Sequence, residues 1–141
     1  MKELFSEVQV KQAIAPTRET GTSAVVGNWI DRQGFESLLF AALMTNPDSD
    51  ATVTPLVEES DSEAGSHSDA AAVADADLIG TEAGAAFTAS EDAECHKIGY
   101  RGTKRWVRLT LTPAANSGNL DVSAVAVLGH GQERPQSSQH A

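Results

Sequence analysis

Apolar and polar residues alternate most cleanly in the last third of the chain. Over residues 106–112, Val107, Leu109 and Leu111 fall on one side and Trp106, Arg108, Thr110 and Thr112 on the other. Over residues 120–128, Leu120, Val122, Ala124, Ala126 and Leu128 share one side, with Val125 and Val127 opposite. A period of two is that of a strand with one face buried. Pro113 stops the first run, and Asn116-Ser117-Gly118-Asn119 is a turn cluster. Residues 106–128 are therefore predicted to form a β-hairpin.

The pattern upstream is also mainly β. Residues 24–30 are rich in strand formers and include Trp29, and Asp31-Arg32-Gln33-Gly34 reads as a turn. Residues 35–44 are apolar on both faces: Leu38, Phe40, Ala42 and Met44 on one, Phe35, Leu39, Ala41 and Leu43 on the other. That suits a buried central strand, although periodicity alone also admits a helix. Residues 51–58 favour a strand, and Pro55 places it at an edge or a bulge. Residues 97–100 form a short strand before an Arg101-Gly102 turn. One short helix is predicted over residues 70–78: it is alanine-rich, Ser68 and Asp69 are placed to cap it, and Gly80 would end it.

The expected architecture is all-β, a two-sheet β-sandwich with one short helix. A jelly roll and an immunoglobulin-like arrangement both fit the pattern, and the jelly roll is the topology expected. Residues 1–23 are read as an N-terminal arm and hinge, with residues 13–23 as loop. Residues 24–129 form the sandwich, and residues 130–141 a polar, mobile tail. An ordinary edge strand is the plainer reading of residues 4–14.

The chain of 141 residues is the size of one domain. It has one cysteine, Cys95, which excludes an internal disulfide and any zinc site needing two thiolates. A buried or semi-buried structural thiol is expected there. No apolar run reaches the ~18 residues of a membrane span. The N-terminus lacks the pattern of a secretory signal, so synthesis and use in a cytoplasm without export are expected.

The net charge of −10 opposes nonspecific nucleic-acid binding, which depends on neutralising phosphates. The charges are also segregated. No basic residue lies between Arg32 and Lys97, where 14 of the 20 acids fall, and five of the ten basic residues lie within 97–108. Opposed acidic and basic surfaces would suit contacts between neighbouring molecules, and solvated loops are the plainer explanation.

Catalytic chemistry is not found. His67, His96, His130 and His140 show no helical metal spacing. Cys95 and His96 are adjacent, so in a strand they point to opposite faces and make no thiolate–imidazole pair. Asp48, Asp50, Glu58, Glu59, Asp61 and Glu63 match no EF-hand, and solvated acids are expected rather than a calcium site. No cofactor, no metal and no enzyme activity are predicted. A carbohydrate-binding sandwich, with Trp29, Tyr100 or Trp106 as stacking platforms, is one alternative. Tyr100, Arg101, Lys104, Arg105, Trp106 and Arg108 are candidate protein-contact residues, and Leu4, Phe5, Val8, Val10 and Ile14 are candidates on the N-terminal segment.

Three stretches carry a family resemblance: residues 29–38 (WIDRQGFESL), residues 68–81 (SDAAAVADADLIGT) and residues 97–109 (KIGYRGTKRWVRL). With residues 120–129, they resemble a group of small tailed-bacteriophage and prophage proteins encoded near the major capsid protein. Gly65–Ser68 and residues 17–23 lie outside the resemblance, and it brings no functional site with it. It implies a structural virion protein, most plausibly a capsid decoration (cement) protein on the capsid exterior. The implied partners are the major capsid protein and copies of the chain itself, as a trimer or another ring. A tail or neck component is the alternative within the virion.

Overall fold

A computed structural model describes residues 3–62, 65–136 and 138–139. Among them run eleven strands: β1 (Val8–Glu19), β2 (Val25–Val26), β3 (Ile30–Asp31), β4 (Phe35–Thr45), β5 (Thr52–Ser60), β6 (Ala71–Ala72), β7 (Leu78–Ile79), β8 (Phe87–Thr88), β9 (Glu94–Tyr100), β10 (Trp106–Ala114) and β11 (Leu120–Gly131). Sheet one has the order β1-β11-β4-β9-β7. Sheet two has the order β2-β10-β5-β6, with β3 also on β10 and β8 also on β5. Every pairing is antiparallel.

The pairings are nested. First pairs with last (β1 with β11), then β2 with β10, β4 with β9 and β5 with β6, and successive pairs fall in alternate sheets. This nesting across two facing sheets is the jelly roll, so the choice left open by patterning is resolved.

One core fills the space between the sheets. Phe40 and Met44 of β4, Leu109 and Leu111 of β10, Leu120 and Leu128 of β11, Phe87 and Tyr100 are almost fully buried there. The inward residues of β10 and β11 are those that alternation assigned, whereas β4, apolar on both faces, buries Leu38, Phe40, Ala42 and Met44 and leaves Leu43 exposed. β4 is the central strand of sheet one, between β11 and β9. Pro55 falls in the gap between the short partners β8 and β6, which cover only the two ends of β5, so its missing N–H leaves no ladder position empty on that side.

Four expectations are corrected. Residues 106–128 are not a hairpin: β10 lies in sheet two and β11 in sheet one, and their connection passes from one sheet to the other. The turn cluster anchors that crossing. The Asn116 side-chain amide donates to the carbonyls of Glu19 and Gly21, and Asp48 accepts from the Ser117 N–H and hydroxyl. Alternation assigns a buried face to each strand, but it does not say whether two buried faces lie side by side or opposite each other.

The helix over residues 70–78 does not form. β6 pairs with β5, the Val73 N–H donates to Val57, and only a single 3-10 turn follows at Asp75–Asp77. The free edge of β5 offers these backbone groups partners, and that outweighs the helix propensity of alanine. Asp69 caps no helix. Its carboxylate instead gathers the Ser60 and Ser62 hydroxyls and the Asp61 and Ser62 N–H groups.

Residues 13–19, expected as loop, continue β1, with irregular register between Gln12 and Thr17 that absorbs Pro16. Most of the expected arm is thus an edge strand. At the other end, β11 extends through Gly131, beyond the expected start of the tail, and the Gln136 N–H donates to the Ser6 carbonyl.

Candidate functional site: the outer face of sheet one

Strand register aligns the outward residues of sheet one into rows. Val10 faces Val127, Val127 faces Leu39, Leu39 faces Gly99, and Gly99 faces Ile79, so one row crosses all five strands. The next rows run Gln12, Val125, Ala41, Lys97, and then Ser123, Leu43, Cys95. Cross-strand partners share a face. These residues therefore form one surface, and Val10, Leu43, Ile79 and Val125 are each more than two-fifths exposed on it.

Gly99 has a specific part in this surface. A Cβ there would lie 3.0 Å from that of Ile79, so its bare backbone lets Ile79 seat on the sheet. Leu4, Val8, Leu39, Ile79 and Val127 line a cleft of about 700 Å³ that also reaches Lys97 and His130. Leu4 is 69% exposed and Phe5 59%. A contiguous apolar patch of this kind marks an interaction site more often than an idle surface.

The candidate contact residues divide between the two sheets. Leu4, Val8 and Val10 belong to the apolar face, with Phe5 beside Leu4 in the 3-10 turn that leads into β1. Ile14 does not belong, because it points inward and is 3% exposed. Tyr100 is likewise a core residue. Its hydroxyl donates to Glu59 at 2.6 Å and accepts the Lys104 N–H at 3.0 Å, and burial followed by the Glu59 contact pushes its phenol above the ordinary range. Burial removes it as a stacking platform.

The basic residues and Trp106 lie on or beside sheet two, and their partners are within the chain. Arg108 donates to Glu58, its cross-strand neighbour, at 2.6 and 3.0 Å. Arg105 makes a two-pronged contact with Asp31 at 2.8 and 3.0 Å, Lys104 donates to Asp61 at 2.8 Å, and Arg101 donates to the Ala76 carbonyl at 2.8 Å. Antiparallel pairing of β10 with β5 thus brings Arg108 and Lys104 of the basic stretch to Glu58 and Asp61 of the acidic one. Trp29 is covered by the stacked His67 ring at 4.3 Å and by the Arg108 guanidinium at 4.4 Å, and Trp106 meets the edge of His67 at 5.3 Å.

Four of the acids considered for calcium are engaged separately. Asp48 holds Ser117, Glu58 holds Arg108, Glu59 holds Tyr100 and Asp61 holds Lys104. Glu63 and His140 lie outside the described residues. Cys95 is exposed on the outer face of sheet one, contrary to the buried or semi-buried thiol expected, while His96 turns inward. The two side chains diverge, as adjacent strand positions must.

Several of these carboxylates titrate low. Asp121 is held down to about 2 by Arg18 and then Asn46, Asp31 is lowered by Arg105, and Asp61 by Lys104; hydroxyls of Ser60 and Ser62 hold Asp69 far below the usual range. A carboxylate with a depressed folded pKa stabilises the fold above its unfolded value of about 3.9, and that contribution is lost as pH falls through the folded value. The melting temperature is therefore expected to hold above pH 5 and to fall between about pH 4 and pH 2. Melting followed by circular dichroism across that range checks this. Asp121→Asn should flatten part of the fall, because it removes the tie between β1 and β11 at every pH.

The fold and this surface define a class: a jelly-roll sandwich with one apolar outer face. Among the described residues, no helix is long and apolar enough to cross a membrane. No protein-family model matches the sequence. No curated protein matches it either.

Solved structures do share the fold. PBSX exported protein XepA matches with a TM-score of 0.54 and 14% identity, over 100% of this chain and 43% of that one. The infectious bursal disease virus VP2 subviral particle matches with a TM-score of 0.51 and 11% identity, over 92% of this chain and 34% of that one. SPBc2 prophage-derived protein YomS gives 0.48 and 12%, over 86% and 93%. The chain spans less than half the length of the XepA and VP2 chains. At such identities the likeness is one of fold, and it rests on XepA and VP2.

Proposed function

We propose that the chain is a structural component of a phage virion, and within that class a capsid decoration protein. It would seat on the outside of the shell through the outer face of sheet one and bridge neighbouring major capsid subunits. The observation that carries this reading is the apolar row from Val10 through Val127 and Leu39 to Ile79, which spans the whole sheet on the side facing away from the core. The fold shared with XepA and with the VP2 subviral particle supports the virion class.

The role is mechanical. A shell under internal pressure is stabilised by any partner that binds only its assembled form. Each contact can be modest, because engagement of several subunits by linked copies multiplies the apparent affinity. Leu4 and Phe5, at the rim of the apolar face, are the part of the expected arm placed to reach a neighbour. Net negative charge suits an outer position away from packaged DNA.

Co-sedimentation of the purified chain with expanded heads of its phage tests the proposal. Saturable binding is expected, together with heads that survive heating or chelation better when decorated. Protein that stays in the supernatant, or heads equally robust without it, would overturn the decoration role. Labelling confined to tails or necks would leave a virion protein of another kind.

A further inference from the structure

At one end of the sandwich, away from the apolar face, three side chains converge that the proposed function does not use. We infer that Glu91, Glu94 and His96 bind one divalent transition-metal ion of the zinc type. Their donor atoms all lie within 4.8 Å of one another. His96 Nε2 is 3.3 Å from Glu94 Oε2 and 3.9 Å from Glu91 Oε1. Ligand atoms around a tetrahedral zinc ion stand about 3.3 Å apart, so a small rotation of the glutamates closes the set.

Each donor is oriented by contacts outside the trio. His96 Nδ1 is 3.1 Å from the Ala86 carbonyl, which can only accept, so Nδ1 carries a proton and Nε2 is the ring atom turned to the two carboxylates. A backbone carbonyl behind the ring is the usual outer-shell partner of a metal-binding histidine. The ring is fixed further by stacking on buried Phe87 at 4.0 Å and 9°. Glu91 uses its other oxygen, Oε2, to accept from the Thr88 N–H and hydroxyl at 2.6 and 2.9 Å, which leaves Oε1 facing His96.

Nε2 and the two carboxylate oxygens turn toward one point, which a metal ion can occupy in place of the proton. The choice of metal follows from the donors. One imidazole nitrogen with two carboxylates suits a borderline ion, whereas calcium and magnesium favour all-oxygen sites. The side chain of His96 is 16% exposed and that of Glu94 54%, so the site opens to solvent and water can complete the coordination. A bound ion would tie the 3-10 turn at Ala89–Glu91 to β9 and close that end of the sandwich.

The test is calorimetric titration of the chelator-stripped full chain with zinc chloride, alongside thermal melts. One saturable site and a raised melting temperature are expected. His96→Gln should weaken binding at least tenfold and abolish the zinc-dependent shift, and the more exposed Glu94→Gln should weaken it several-fold. Without zinc, Glu94→Gln should melt like the parent, and His96→Gln slightly lower because it loses the stacking on Phe87. The inference is overturned if no saturable binding occurs up to millimolar zinc. It is also overturned if both variants bind as the parent does, or if calcium displaces zinc at equal concentration.

Discussion

Leu39→Lys is expected to abolish co-sedimentation with phage heads while lowering the melting temperature only slightly. Phe40→Ala, one residue along the same strand, should do the opposite. Leu39 lies mid-row on the outer face, between Val127 and Gly99, where a lysine can extend its stem over the sheet and hold its charge in water. The cost to the fold is about 1 kcal/mol or less, but any partner seated on that face must then bury a charge with nothing to pair it. Phe40 points into the core at 1% exposure. Its truncation leaves a cavity in the central strand of sheet one and costs about 3–5 kcal/mol. Chemical denaturation and sedimentation of both variants separate the two faces of β4. A Leu39→Lys protein that still decorates heads would rule out this face as the docking surface.

Gly27→Ala is expected to destabilise the protein by about 2–3 kcal/mol, a severe effect for a single methyl group. A Cβ at Gly27 would stand 2.3 Å from the Leu109 carbonyl oxygen and 2.8 Å from that of Ala13. Both are backbone atoms held in strands, one in each sheet. The chain is also fixed there by its own hydrogen bonds, with the Gly27 N–H donating to Leu109 at 3.0 Å and the Asn28 N–H to Ala13 at 2.7 Å. Neither the added methyl nor the carbonyls can move aside without breaking that seam. Gly21→Ala is the control, because a Cβ at Gly21 meets nothing within 4 Å. Its effect should stay within about 0.5 kcal/mol. Urea denaturation of the two variants is the measurement.

Part of the apolar outer face was legible before folding. Val125 and Val127, opposite the buried side of their strand, stand out as apolar residues in outward positions, whereas Leu39, Ala41 and Leu43 belong to a stretch expected to be buried on both faces. Their union into one surface was not legible, since it depends on register between strands as distant as β1 and β11. The convergence of Glu91, Glu94 and His96 had a trace in the sequence, a Glu-x-x-Glu-x-His spacing. That spacing acquires meaning only when a 3-10 turn leads into a strand and brings positions 91, 94 and 96 to the same side.

Alternation by itself determined that residues 106–112 and 120–128 are strands and which side of each is buried, because burial of one face is a local demand written into a period of two. It determined the all-β class for the same reason. Only the tertiary structure decided which strand lies beside which. β10 and β11 face each other across the core, the alanine-rich stretch gives its backbone to β5, and Lys104 and Arg108 find Asp61 and Glu58. The physical reason is that a backbone donor, an apolar face and a charge are each satisfied by any suitable partner in space. The sequence states the need of each group, and the fold selects among the partners that meet it.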